Sequence, residues 1–269
     1  MTEAAERMLP LYEAKMIHQF DHRWATYEPD GSVRDVTLEE KQDTQFVALP
    51  RYWVREEVVQ DRMGDRWDRD WLLGWRDICR STDERTMIAS QLPFAAVGHT
   101  MPLALTTPTD PALLQSLWSS FIFDYVARQK VGGTHMTYGY LTQLVTALPD
   151  TRPPWAEGHP DWFTERSRFL QAPQSWSTSI RHYVRAELDA AWFHVFGIGH
   201  DDLEYIMGTF PIVKRKDEAA FGSFRTKELI LDAYDAMQVA IETGSAYRSP
   251  SVDELYGDFS HGGMFTVYG

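Results

Sequence analysis

A chain of 269 residues that is 43% hydrophobic and 13% aromatic can bury a substantial core, which excludes a small scaffold held by metal or disulfide staples. Its single cysteine, Cys79, cannot form an internal bridge, and no charged-then-apolar leader or membrane-length apolar run occurs; the expectation is a soluble protein of a reducing cytoplasm. A net charge of -13 fits an acidic enzyme and opposes a surface that grips duplex phosphates everywhere, unless cations gather on one face or a partner domain supplies them.

Between residues 46 and 107, short apolar and aromatic runs alternate with Pro, Gly and Asp, predicting strands at 46–49, 52–54, 71–75, 86–89 and 102–105. Cys79 lies among them with no neighbour in sequence to lower its pKa, so it reads as a small apolar core group. Asp110-Pro111 supplies an N-cap followed by a first-turn proline. Leu113, Leu114, Leu117, Phe121 and Tyr125 then recur at helical spacing as far as Gly132-Gly133, predicting one core helix. Residues 149–176 are rich in Pro, Trp and Ser without clear period and read as a linker or irregular crossover.

Beyond it, Ile180, Val184, Leu188, Trp192 and Val195 mark an amphipathic helix ending at Gly197. Asp201 and Glu204 resemble a capping box for the next helix, and Thr226 opens another through Leu229, Ala233, Met237 and Ile241 to Gly244. The expected fold class is α+β. A β-rich subdomain with one core helix occupies 1–148, a linker 149–176, a helical subdomain 177–245 and a loosely ordered tail 246–269.

The chain has no catalytic signature for methyl transfer to an exocyclic amine. It contains no asparagine, its only Pro-Pro pair, Pro153-Pro154, follows Arg152, and its Gly197-Ile198-Gly199 follows a helix, where a C-cap and turn explain it better than a cofactor loop. Phosphate-binding Walker and Gly-x-Ser-x-Gly patterns are also missing. Two clusters remain. The segment from Lys130 to Leu141 pairs Gly132 and Gly133, which let backbone approach a ligand, with Lys130, Thr134, His135, Thr137 and Tyr138, which offer groups suited to phosphates and base edges; a helix C-cap with a polar loop is the plainer alternative. Arg76, Arg80 and Arg85 present guanidinium forks, or form ordinary ion pairs with Asp77, Asp83 and Glu84. The aromatics Tyr52, Trp53, Trp67, Trp71 and Trp75 are read as core.

Five runs in this order carry a resemblance: Leu11 to Tyr27 (containing His18-Gln19-Phe20-Asp21-His22), Trp75 to Ile78, Thr82 to Thr86, Lys130 to Leu141, and Thr209 to Lys214. Together they resemble the C-terminal half of large adenine-N6 DNA methyltransferases of single-chain type II restriction-modification and phage-defence systems, whose specificity regions are of the TaqI-like type. The resemblance implies a β-rich DNA target-recognition subdomain that reads the major groove of double-stranded DNA. It also implies a catalytic domain, in cis or in trans, that binds S-adenosylmethionine. This chain lacks that half, so no cofactor and no catalytic residue are expected in it. By matching position, the implied DNA contacts are Lys15, His18, Arg76, Arg85, His99, Lys130, Gly132, Gly133, Thr134, His135, Thr137 and Tyr138. The chain is also shorter than the family between Leu148 and Tyr183.

Two other function classes stay open. His18 and His22, four apart with acidic Asp21 between them, resemble an inverted zinc-peptidase motif if the run is helical. The helical C-terminal part is also suited to docking a methyltransferase or another defence subunit. Duplex DNA binding separates the docking reading from DNA recognition, and a metal analysis without stoichiometric zinc would remove the hydrolase reading.

Overall fold

A computed structural model of the chain describes residues 6–106, 110–147, 151–156, 161–172 and 178–249. The fold is α+β, with strands concentrated in the first 104 residues and helices after them. Strand β1 (Met8–Tyr12) leads into a single 3-10 turn, then a hairpin of β2 (Ala25–Tyr27) and β3 (Val33–Asp35). Helix α1 (Leu38–Gln42) follows, started by a capping box in which Thr37 and Glu40 satisfy each other's backbone N–H groups. Next come β4 (Trp53–Arg55), α2 (Glu56–Met63), β5 (Trp71–Trp75), β6 (Ala89–Pro93), β7 (Ala96–Val97) and β8 (Leu103–Ala104). One sheet has the order β4-β1-β7, with β4 antiparallel and β7 parallel to β1. Another has the order β6-β5-β8, all antiparallel.

Strand β5 shows why a continuous apolar run is needed in the middle of this sheet. Alternation sends Leu73 and Trp75 into the main core and Leu72 into a second cluster with Tyr12, Met16, Ile17 and Met101. A Cβ at Gly74 would lie 3.2 Å from the Met101 side chain, closer than most such contacts, so the strand packs tightly against Met101 there.

Two of the strands expected upstream and downstream of it differ. Residues 46–49 form no strand; Leu49 instead fastens to the β2 edge, accepting from Tyr27 N–H at 3.0 Å and donating to Thr26 Oγ1 at 2.9 Å. Residues 86–88 are diverted because the Thr86 N–H binds the Asp124 carboxylate (3.0 Å), so pairing begins only at Ala89.

The expected single core helix is two, α3 (Pro111–Trp118) and α4 (Phe121–Lys130). Asp110 caps the first at Ala112 N (2.7 Å), but Ser120 adopts an extended conformation and caps the second at Phe123 N (3.2 Å), which breaks the run despite its unbroken apolar spacing. A short α5 (Tyr138–Leu141) follows.

The stretch expected to be a linker contains α6 (Trp162–Gln171), whose Phe163 stacks on Trp192 at 4.2 Å. Its buried stripe Phe163, Ser167, Leu170 is interrupted by a serine, which hides the period from a hydrophobicity reading. Residues 149–150, 157–160 and 173–176 of that stretch lie outside the described residues.

The remaining helices are α7 (Thr178–Val195), α8 (His200–Gly208), α9 (Pro211–Phe221) and α10 (Arg225–Thr243). Gly197 and Gly244 both take positive φ after their helices, as C-caps do. Helix α8 begins one residue before Asp201, with no side-chain cap, so Asp201 and Glu204 form no capping box. One continuous core joins Leu73 and Trp75 of β5 to α3, α4 and α6 through α10. The boundary expected at 149–176 therefore does not separate two cores. Of the expected tail, residues 250–269 lie outside the described residues, while Tyr247 donates to Glu187 at 2.9 Å.

Candidate nucleic-acid interface

The loop from Val131 to Thr137 leaves α4 and crosses the end of the β6-β5-β8 sheet. Met136 is fully buried and pins it: its N–H donates to Asp77 O at 2.7 Å and its carbonyl accepts from Trp75 Nε1 at 2.8 Å. On either side, Cys79 N–H donates to Thr134 O at 3.0 Å, Ile78 and His135 form an antiparallel bridge, and Tyr138 Oη bonds both the N–H (3.1 Å) and carbonyl (3.0 Å) of Leu103. The backbone is thus over-determined while the side chains around it face outward. Lys130, Gly132, Gly133, Thr134, His135, Thr137 and Tyr138 are all exposed, Tyr138 at 55% and the adjoining Ile78 at 58%.

Neither Gly132 nor Gly133 has a positive φ, and a Cβ added to either would meet nothing within 4 Å. No packing inside the protein calls for glycine at these two positions. Outside the loop, Asp77 Oδ2 lies 2.9 Å from His135 Nδ1.

The same edge gathers further expected contacts. Asp77 N–H donates to Thr100 O at 3.0 Å, which sets exposed His99 beside the loop's anchor, and Gly98 N–H reaches Tyr12 O at 2.8 Å. Arg76 is half-buried and spends Nε (3.0 Å) and Nη2 (2.5 Å) on Ile17 O; burial lowers its pKa. Lys15 is exposed, 4.9 Å over the Tyr27 ring and 3.5 Å from Glu13, and its pKa is raised first by Tyr27. Backbone contacts therefore run from residues 12–17 through 76–79 and 98–100 to the 130–138 loop, forming one ridge.

His18 and Arg85 are elsewhere. The run from His18 to His22 is a tight turn and not a helix: His18 and Asp21 exchange backbone hydrogen bonds (2.7 and 3.0 Å), and Phe20 sits at φ 59 with its ring in the core. Among the described residues Phe20 is the one non-glycine with positive φ, a costly conformation for an aromatic residue.

The turn ties the β-rich part to the helices. Gln19 donates to Met87 O (3.0 Å) and Ser119 O (3.3 Å) and accepts from Arg185 Nη2 (2.7 Å), while Asp21 pairs with Lys41 at 2.6 Å. Arg23 holds the carbonyls of Lys41, Asp43 and Phe46. The i,i+4 helical geometry that zinc ligation by His18 and His22 requires is thereby removed, and no group of three or more His, Cys, Asp or Glu is arranged for a metal among the described residues.

Arg85, 5% exposed, donates Nε to Asp124 Oδ2 and Nη2 to Ser119 O, both at 2.6 Å, and covers the Phe121 ring at 4.0 Å. Its ion-pair alternative therefore holds, though with Asp124 and not with its sequence neighbours. Asp124 also accepts from Thr86 N–H and, at 3.3 Å, from Arg128 Nε. A fork so engaged is not presented to a groove.

His18 and Arg85 instead border a cleft between the turn and helices α7, α9 and α10. Arg181, Arg185 and Asp189 line it from α7 at a spacing of four, on a face beside the apolar stripe; that spacing is present in the sequence, but charged residues on a helix face carry no hydrophobic period. Burial, then the charge of Arg185, pushes the His18 pKa well below its ordinary value. Cys79 is buried and its thiol is pushed up to about 11, chiefly by burial, which leaves it an inert core group. No helix among the described residues is long and apolar enough to cross a membrane. The chain is matched by no protein-family model, no curated protein and no solved structure.

Proposed function

We propose that this chain is the sequence-reading region of an adenine-N6 DNA methyltransferase of the restriction-modification or phage-defence kind, working with a separate S-adenosylmethionine-binding catalytic domain. What carries the reading is the adjacency of the 76–80 and 130–138 segments. Residues 76–78 and 130–138 belong to runs that resemble the methyltransferase family, they are some 50 residues apart in sequence, and the two segments are hydrogen-bonded into one ridge.

A major groove about 12 Å wide admits such a ridge, and base edges are discriminated by donors and acceptors held in fixed positions. Thr134, His135, Thr137 and Tyr138 supply those groups from backbone that is already fastened, so little ordering is required on binding. The open space around Gly132 and Gly133 suits the close approach of a sugar-phosphate strand. Lys130 and Arg80 contribute local cations that a chain of net charge -13 needs, and the catalytic domain supplies the remaining phosphate affinity.

The test is selection of a random duplex library by the purified chain across a salt series, with sequencing of the retained DNA. An enriched motif whose affinity falls with salt supports the reading. Retention without enrichment, or no retention at low salt, overturns recognition by this chain on its own and favours a docking role for it.

A further inference from the structure

Two cavities of about 160 and 280 Å³ meet at His18, His182 and Arg185: the first lies between the strained turn and helices α7, α9 and α10, the second between that turn, α1 and α7. Their walls carry Lys41, Arg85, Arg181, Arg185 and Arg225, a dense group of cations in an acidic chain. The acids on the same walls are already engaged. Asp21 holds Lys41, Glu84 holds Lys216, Asp189 accepts the Phe121 N–H at 2.6 Å, and Asp217 accepts the Thr226 N–H at 2.6 Å.

Arg185 is the conspicuous member. Its one hydrogen bond among the described residues uses Nη2, toward Gln19 Oε1, and leaves Nε and Nη1 to the cavity that it lines. Arg225 stacks on Phe221 at 4.8 Å and makes no hydrogen bond among the described residues. Both guanidinium groups are half-buried, where donors left without acceptors are costly, and a tetrahedral oxyanion satisfies two forks at once. We propose that this cleft binds a phosphoryl anion of free-phosphate or mononucleotide size, gripped by Arg185 and Arg225 with His182 between them. Burial, then the neighbouring Arg185 and Arg225, lower the His182 pKa, with Asp217 opposing them.

The site does not depend on the ridge, and its test needs no DNA. Thermal unfolding and isothermal titration of the full chain are run with inorganic phosphate, with a nucleoside 5'-monophosphate and with chloride at equal ionic strength. The expected result is saturable binding and stabilisation by one or both phosphoryl probes over chloride; tighter binding of the nucleotide identifies a nucleotide as the source, and equal binding identifies free phosphate.

Replacing Arg185 by Gln, or Arg225 by Gln should the first variant fold poorly, weakens that binding roughly tenfold, as loss of a charge-assisted fork does. In the wild type the His182 ring resonances shift on saturation. Equal effects of chloride and phosphate, or undiminished binding in a folded variant, overturn the proposal. So does protection of the cleft by duplex DNA alone, which would make it part of the DNA-reading surface.

Discussion

On the ridge the backbone is fastened and the polar side chains are left outward, whereas in the cleft regular helices and one tight turn hold charged side chains that mostly engage one another. Met136 and Trp75 fix the loop from beneath while Lys130 and Thr134 stay exposed; Arg85, Asp124, Lys41 and Asp21 are buried pairs. The difference separates two uses of charge: exposed groups are available to an outside partner at little cost to stability, and buried pairs hold the β-rich and helical parts together and fail badly when halved.

That contrast breaks most visibly at Asp124. Asp124→Ala strands Arg85 and leaves the Thr86 N–H without its acceptor, and urea unfolding should register a loss of about 3–5 kcal/mol or a chain that no longer folds. A loss under 1 kcal/mol would mean the pair is not the seam's main tie.

Acidification acts on the same turn. Burial lowers the His22 pKa to about 4, below its unfolded value, so its contribution is present above the unfolded pKa and is lost as pH falls from about 6.5 toward 4. Asp189, raised to about 6 mainly by burial, works oppositely: its contribution is present at low pH and lost as pH rises through about 6. Between pH 8 and 5 His22 costs on the order of 2 kcal/mol, His18, whose pKa is also held well below its ordinary value, adds to that cost, and Asp189 offsets part of it, so His22→Phe should make the slope shallower in unfolding curves taken at several pH values. An unchanged slope would exclude His22 as its source.

Substitutions on the ridge should separate binding from stability. His135→Ala should reduce discrimination at one base pair by about 1–2 kcal/mol in competition assays on a selected duplex, while thermal unfolding stays almost unchanged. A double change of Gly132 and Gly133 to Ala meets no protein atom within 4 Å, so stability should hold or rise by up to about 1 kcal/mol as duplex affinity falls. Smallest of all, Lys130→Ala should lower affinity evenly across sequences and reduce the salt slope by about 1. Equal affinity of these variants and the wild type would remove the ridge from recognition.

Much of this organisation is legible in the sequence where one signal dominates. Trp71 to Trp75 is a strand with its expected limits, because five apolar residues allow both faces to be buried. Helices α7 and α10 follow from clear apolar stripes and terminal glycines. Long-range demands decide the rest. Asp124 draws residues 86–88 away from their strand, and Ser120 divides a run that reads as one helix. Helix α9, from Pro211 to Phe221, buries only Val213 and therefore has no stripe to read.

The 130–138 loop is likewise visible as a cluster of glycine and polar residues. The cleft is not, because His18, Arg85 and Arg185 come from three distant segments and meet only after folding. Arg85 shows the limit most plainly, since neither its spacing nor its neighbours reveal Asp124 as its partner, 39 residues away.

Amide hydrogen exchange of the chain, with and without a duplex enriched from the library, would locate recognition. The ridge predicts slowed exchange at residues 76–80, 98–100 and 131–138 and no change at 181–189. Protection confined to the cleft helices, or bound DNA that leaves the ridge exchanging as it does in the free chain, would contradict it.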